Sequence, residues 1–119
     1  MVSRDDVDRA QAAWGQAIVD IGAAASWEEA HNRAESMVQK FYNVANDGLL
    51  FCPTKVSINP FRRTLAGAVS YFVGRNPDYS EDVGFALKPW IGVRFENTDI
   101  ITRDDNAIAM GHYFFQRED

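Results

Sequence analysis

A chain of 119 residues, 46% hydrophobic and 24% charged, is large enough to bury a core as a single domain without disulfides or metals as staples. Its formal charge of −5 excludes binding along a phosphate backbone, which needs a basic surface; the sole basic doublet, Arg62-Arg63, is too short to change that. A single cysteine, Cys52, excludes an internal disulfide and any multi-cysteine zinc site. No apolar run approaches the roughly 20 residues of a membrane span. The opening MVSRDDVDRA lacks the basic-then-apolar order of a secretory signal, so a cytoplasmic protein is expected.

The first half reads as helices. Ser3 with Asp6 fits an acidic variant of the capping box, which puts acids where a helix macrodipole favours them. Val7, Ala10, Trp14, Ile18 and Ile21 then step along one face, and Gly22 is a natural stop. Ser26 and Glu29 make a second box. Trp27, Ala30, Ala34, Val38, Phe41 and Ala45 mark the next buried stripe, and Asp47-Gly48 closes that helix. The short connection predicts a helical hairpin.

LLFCPTKVSI predicts one or two short strands, with Pro53 at an edge or break. Asn59-Pro60 predicts the N-cap and first residue of a third helix, whose apolar face is Phe61, Leu65, Ala68 and Phe72 and which ends at Gly74. The stretch RNPDYSED is a loop.

From Gly84 to Gln116 the period changes to two. One parity of the first half is apolar (Phe85, Leu87, Ile91, Val93, Phe95), whereas Lys88, Trp90, Arg94 and Glu96 share the other. The second half is apolar on both parities, with Ile108, Met110 and Phe114 on one and Ala107, Ala109, Tyr113 and Phe115 on the other. Such a sheet needs helices on one face and further cover, plausibly a second subunit, on the other. Gly92, Gly111 and Asn97-Thr98-Asp99 mark bends or a bulge, and Asp104-Asp105-Asn106 the hairpin turn. The expected architecture is α+β: three N-terminal helices packed on a strongly curved antiparallel sheet, a cystatin-like cone.

This order of elements resembles the nuclear-transport-factor-2-like superfamily, which includes SnoaL-like cyclases and ketosteroid isomerases. The segments LFCPT, SYFVG, EDVGFAL, VRFEN and AMGHYFF resemble, more narrowly, a bacterial family of small uncharacterised proteins of that fold, some labelled phosphoribosyl-AMP cyclohydrolase. One cysteine does not match the cysteine-rich metal site that this label implies. The resemblance implies a single domain over residues 1–119 that dimerises through its sheet. It also implies further strands after Gln116, so the chain is expected either to lack the last strands or to close its sheet differently.

Candidate chemistry is sparse. His112, in phase with Met110 and Phe114, fits a general base or a ligand donor; a satisfied polar residue in a half-buried strand is the commoner role. Trp90 and Arg94 fit the apolar wall and anion hook of a pocket, or a solvated sheet face in which Arg94 offsets Glu96. Tyr71 and Tyr113 fit hydroxyl donors in a cavity or core residues with hydroxyls at the rim. Tyr42, Tyr79 and His31 carry less, and Cys52 fits a buried structural thiol. The histidine spacing makes no metal site, and no cofactor is expected. The preferred expectation is a non-catalytic domain that binds a small apolar ligand and forms a homodimer, with no nucleic-acid or membrane partner. The alternatives are an isomerase, cyclase or dehydratase with its site in the cone, and an association module.

Overall fold

The computed structural model describes residues 1–118, apart from the side chains of Asn46 and Asp47. Helix α1 (Arg4–Gly22) begins as expected: the Asp6 amide donates to the Ser3 hydroxyl and the Ser3 amide to the Asp6 carboxylate, closing the capping box. Its buried face is Gly15, Ile18 and Ile21. Gly22 matters through close approach, since a Cβ there would lie 2.6 Å from the Ala86 carbonyl oxygen. Helix α2 (Trp27–Tyr42) is capped by Ser26, but Glu29 accepts from the Ala25 amide and not from the cap residue. It stops earlier than expected, at a left-handed Asn43 (φ 48°), before the single turn α3 (Val44–Asp47).

The next segment departs most from expectation. Residues 49–58 form no strand; one antiparallel bridge joins Phe51 to Arg62. That bridge uses both the N–H and the C=O of Arg62, so the backbone at Asn59-Pro60-Phe61 cannot enter a helix there. Helix α4 (Leu65–Val73) starts four residues after Phe61, capped by the Thr64 hydroxyl, and leaves Phe61 exposed. Every residue of α4 from Gly67 to Val73 is buried, which makes it the central helix of the core.

A 3-10 turn (Phe85–Leu87) precedes the strands β1 (Gly92–Arg103) and β2 (Asn106–Gln116), which pair antiparallel. The register slips between Asn97 and Asp99, at the predicted bulge. Gly111 lies opposite, where a Cβ would stand 2.2 Å from the Glu96 carbonyl oxygen, so the bend admits only glycine. The turn is Asp104-Asp105, with Asp104 left-handed (φ 40°). Helix α1 crosses one face of this hairpin, with the ring of Trp14 about 6 Å from those of Phe95, Tyr113 and Phe115. The molecule is therefore α+β, with helices against a two-stranded antiparallel sheet; the described residues form this hairpin and not the wider, strongly curved cone expected from the sequence.

Candidate active site

Between the start of α1, the end of α2 and the inner face of the hairpin lies an open recess of about 470 Å³. Gln11, Trp14, Tyr42, Phe51, Phe95 and Tyr113 form most of its wall, and no lining side chain carries a formal charge. Its polar side chains are Gln11, Tyr42, Cys52 and Tyr113. The Thr54 hydroxyl lies 3.0 Å from that of Tyr113. Tyr71, stacked on Phe85 and edge-on to Phe51, takes a hydrogen bond from the Lys55 backbone. Burial pushes the Tyr71 phenol up to about 12, with neighbouring Tyr113 adding to the effect. Burial also raises Tyr42, against a hydrogen bond from Trp14, and Tyr113 again adds to it. These phenols are thus neutral at physiological pH and able to donate hydrogen bonds.

Behind the recess sits a buried ion pair. The Arg62 guanidinium meets Asp82 through two bonds of 2.8 Å, with side chains 1% and 0% exposed. The cation also donates to the carbonyls of Asn59 and Gly67 and lies 4.3 Å from the Tyr79 ring. Ser70 donates to the same carboxylate. The fork geometry satisfies both charges, which is what makes burial of the pair tolerable.

Of the residues singled out in the sequence, Tyr71 and Tyr113 meet near the recess, together with Tyr42. Trp90 does not join Arg94. The 3-10 turn and Pro89 break the strand parity before β1, and Trp90 turns inward, donating to the Phe85 carbonyl (2.9 Å) and packing on Phe115. Arg94 lies on the outer face, paired with Glu96 and 4.3 Å from the Phe114 ring. His112 is exposed on that same outer face, opposite Glu96. His31 packs on the Trp27 ring, away from the recess. Cys52 is exposed at the recess rim, contrary to the buried thiol expected. Thr54, Arg62 and Asp82 were not foreseen. The opposed doublets Arg62-Arg63 and Glu81-Asp82 are the only hint in the sequence of the buried pair. Among the described residues no group of three or more His, Cys, Asp or Glu is arranged to hold a metal ion, and no helix is long and apolar enough to cross a membrane.

Comparison with known proteins gives this geometry a family. The family model for metal-independent carbonic anhydrase matches residues 5–119. A protein of Nostoc sp. (strain PCC 7120 / SAG 25.82 / UTEX 2576) named metal-independent carbonic anhydrase is 36% identical over 115 residues, or 93% of this chain and 56% of its own. The chain thus spans about half the length of that curated relative. The crystal structure of an iota-carbonic anhydrase from a cyanobacterium, complexed with bicarbonate, superposes with a TM-score of 0.92 at 35% identity, over 98% of this chain and 74% of that one. These matches overturn the placement among small nuclear-transport-factor-2-like or SnoaL-like proteins, and with it the expected non-catalytic binding or association domain. The chain belongs to the metal-independent carbonic anhydrase family, a family named for an enzyme.

Proposed function

We propose that this chain, acting as one domain, interconverts carbon dioxide and bicarbonate in the recess beneath Tyr113. The observation that carries the reading is the Thr54–Tyr113 hydroxyl contact at an uncharged, largely aromatic recess. Carbon dioxide has no charge and no dipole, so an apolar wall suits it. Bicarbonate accepts hydrogen bonds, and neutral hydroxyls supply them. In the dehydration direction bicarbonate takes one proton on its hydroxyl oxygen. That carbon–oxygen bond breaks with its electron pair leaving on oxygen, so carbon dioxide and water depart and charge balances. Each of the paired hydroxyls accepts one proton while donating another, so the pair can hand on that proton without becoming charged.

Stopped-flow hydration of carbon dioxide, followed with a pH indicator, tests the reading. The chain should accelerate the reaction over buffer. Tyr113→Phe and Thr54→Val should each lower kcat/KM by about tenfold or more while melting within a few degrees of the parent. A wild-type chain that runs at the uncatalysed rate sinks the proposal.

Self-association through the sheet belongs to the same reading. Ile108, Met110 and Phe114 stand 71%, 67% and 41% exposed on the outer face of β2, an apolar surface of the kind that copies of a chain cover mutually. Light scattering should give twice the chain mass, falling to one on Met110→Lys. A parent at single mass removes this part.

A further inference from the structure

The segment 51–62 carries Thr54 and the Lys55 amide toward the recess, yet it forms no helix or strand beyond its closing bridge. A loop of this length keeps a side chain within hydrogen-bonding distance of Tyr113 only if it is tied along its course. The ties come from two adjacent acids. Glu81 accepts from the Ser57 amide through both carboxylate oxygens, from the Ile58 amide at 2.9 Å and from the Ser57 hydroxyl at 3.1 Å. Asp82 holds Arg62, whose backbone closes the loop on Phe51. One residue therefore fixes the tip of the loop and the next fixes its base. The donors, the Ile58 amide first and then Ser57, keep the Glu81 carboxyl below the ordinary glutamate range.

We propose that Glu81 is a positioning residue for the reaction: by holding the backbone at Ser57 and Ile58 it sets the Thr54 hydroxyl against Tyr113. This rests on the function proposed above. Glu81 touches neither the recess nor Tyr113, so its effect must pass through the loop. The arrangement divides the labour between the two acids. Asp82, its side chain fully buried, is tied to the core, whereas Glu81 works on the exposed backbone of Ser57 and Ile58.

The test is a set of steady-state hydration assays on Glu81→Ala and Glu81→Gln, alone and in the Thr54→Val background. Glu81→Ala should lower kcat/KM about tenfold, with the loss in kcat and the melting temperature within a few degrees of the parent. Glu81→Gln keeps one carbonyl acceptor for the loop amides and should fall between the two. In the Thr54→Val background Glu81→Ala should add less than about twofold, because the group it positions is gone. Full activity in Glu81→Ala, beside an impaired Thr54→Val, overturns the clamp and leaves the proposed function intact. Equal losses from Glu81→Ala in both backgrounds also overturn it. A wild-type chain at the uncatalysed rate removes both.

Discussion

The two faces of β2 differ although their residues alternate along one strand. Phe115 points inward, 4.8 Å from the ring of Phe85 and against Trp14 and Trp90. Phe114, one residue earlier, points outward and is 41% exposed beside Arg94 and His112. Tyr113 shares the inner face and joins the hydroxyl group at the recess, while His112 shares the outer one. Alternation along a strand thus sorts chemically similar neighbours into different roles. The residue that looks most catalytic by type, a histidine, lies on the face away from the recess proposed as the site. An ordinary tyrosine beside it lines that recess.

The contrast can be broken at Phe115. Phe115→Ala should cost about 3 kcal/mol of unfolding free energy, the usual range for a large aromatic in a core. Phe114→Ala should cost less than about 1 kcal/mol. Equal costs in denaturant titrations would mean that the outer face is packed as tightly as the inner. The contrast sharpens at the neighbouring pair, where activity separates the faces: His112→Ala should leave carbon dioxide hydration unchanged while Tyr113→Phe impairs it. A larger loss from His112→Ala would move the site to the outer face.

The smallest effect is a pH dependence. An unfolded tyrosine titrates near 10, whereas Tyr71 in the folded chain is pushed up to about 12. In that window the folded state keeps a proton the unfolded state has lost. The contribution is whole below pH 10 and disappears as pH rises through the folded value. Unfolding midpoints at pH 9 and pH 11 should therefore fall more steeply for the parent than for Tyr71→Phe. Parallel slopes would place Tyr71 in water.

What could be read from the sequence was local. Ser3 and Ser26 announce their helices because a cap needs only a hydroxyl and the next turn's amide. The Asn97–Asp99 bulge and the Asp104-Asp105 turn likewise carry their own residue preferences. Asn59-Pro60 misled because it is an equally good local signal, overridden when Phe51 claimed the backbone of Arg62 from 11 residues away. Trp90 was assigned by strand parity, which holds only while a strand is continuous, and the 3-10 turn interrupts it. The recess lay out of reach for the same reason. Thr54 meets Tyr113 across 59 residues, and no spacing rule links a loop threonine to a tyrosine on a distant strand.

The uncharged lining of the recess also bears on how the protein responds to its solution. Ions screen the attraction between an anion and a fixed cation, with a Debye length near 8 Å at physiological ionic strength. Short hydrogen bonds from hydroxyls are scarcely affected. The bicarbonate site proposed above, in a recess with no lysine or arginine in its wall, should therefore hold its ligand almost equally well in dilute buffer and in brine.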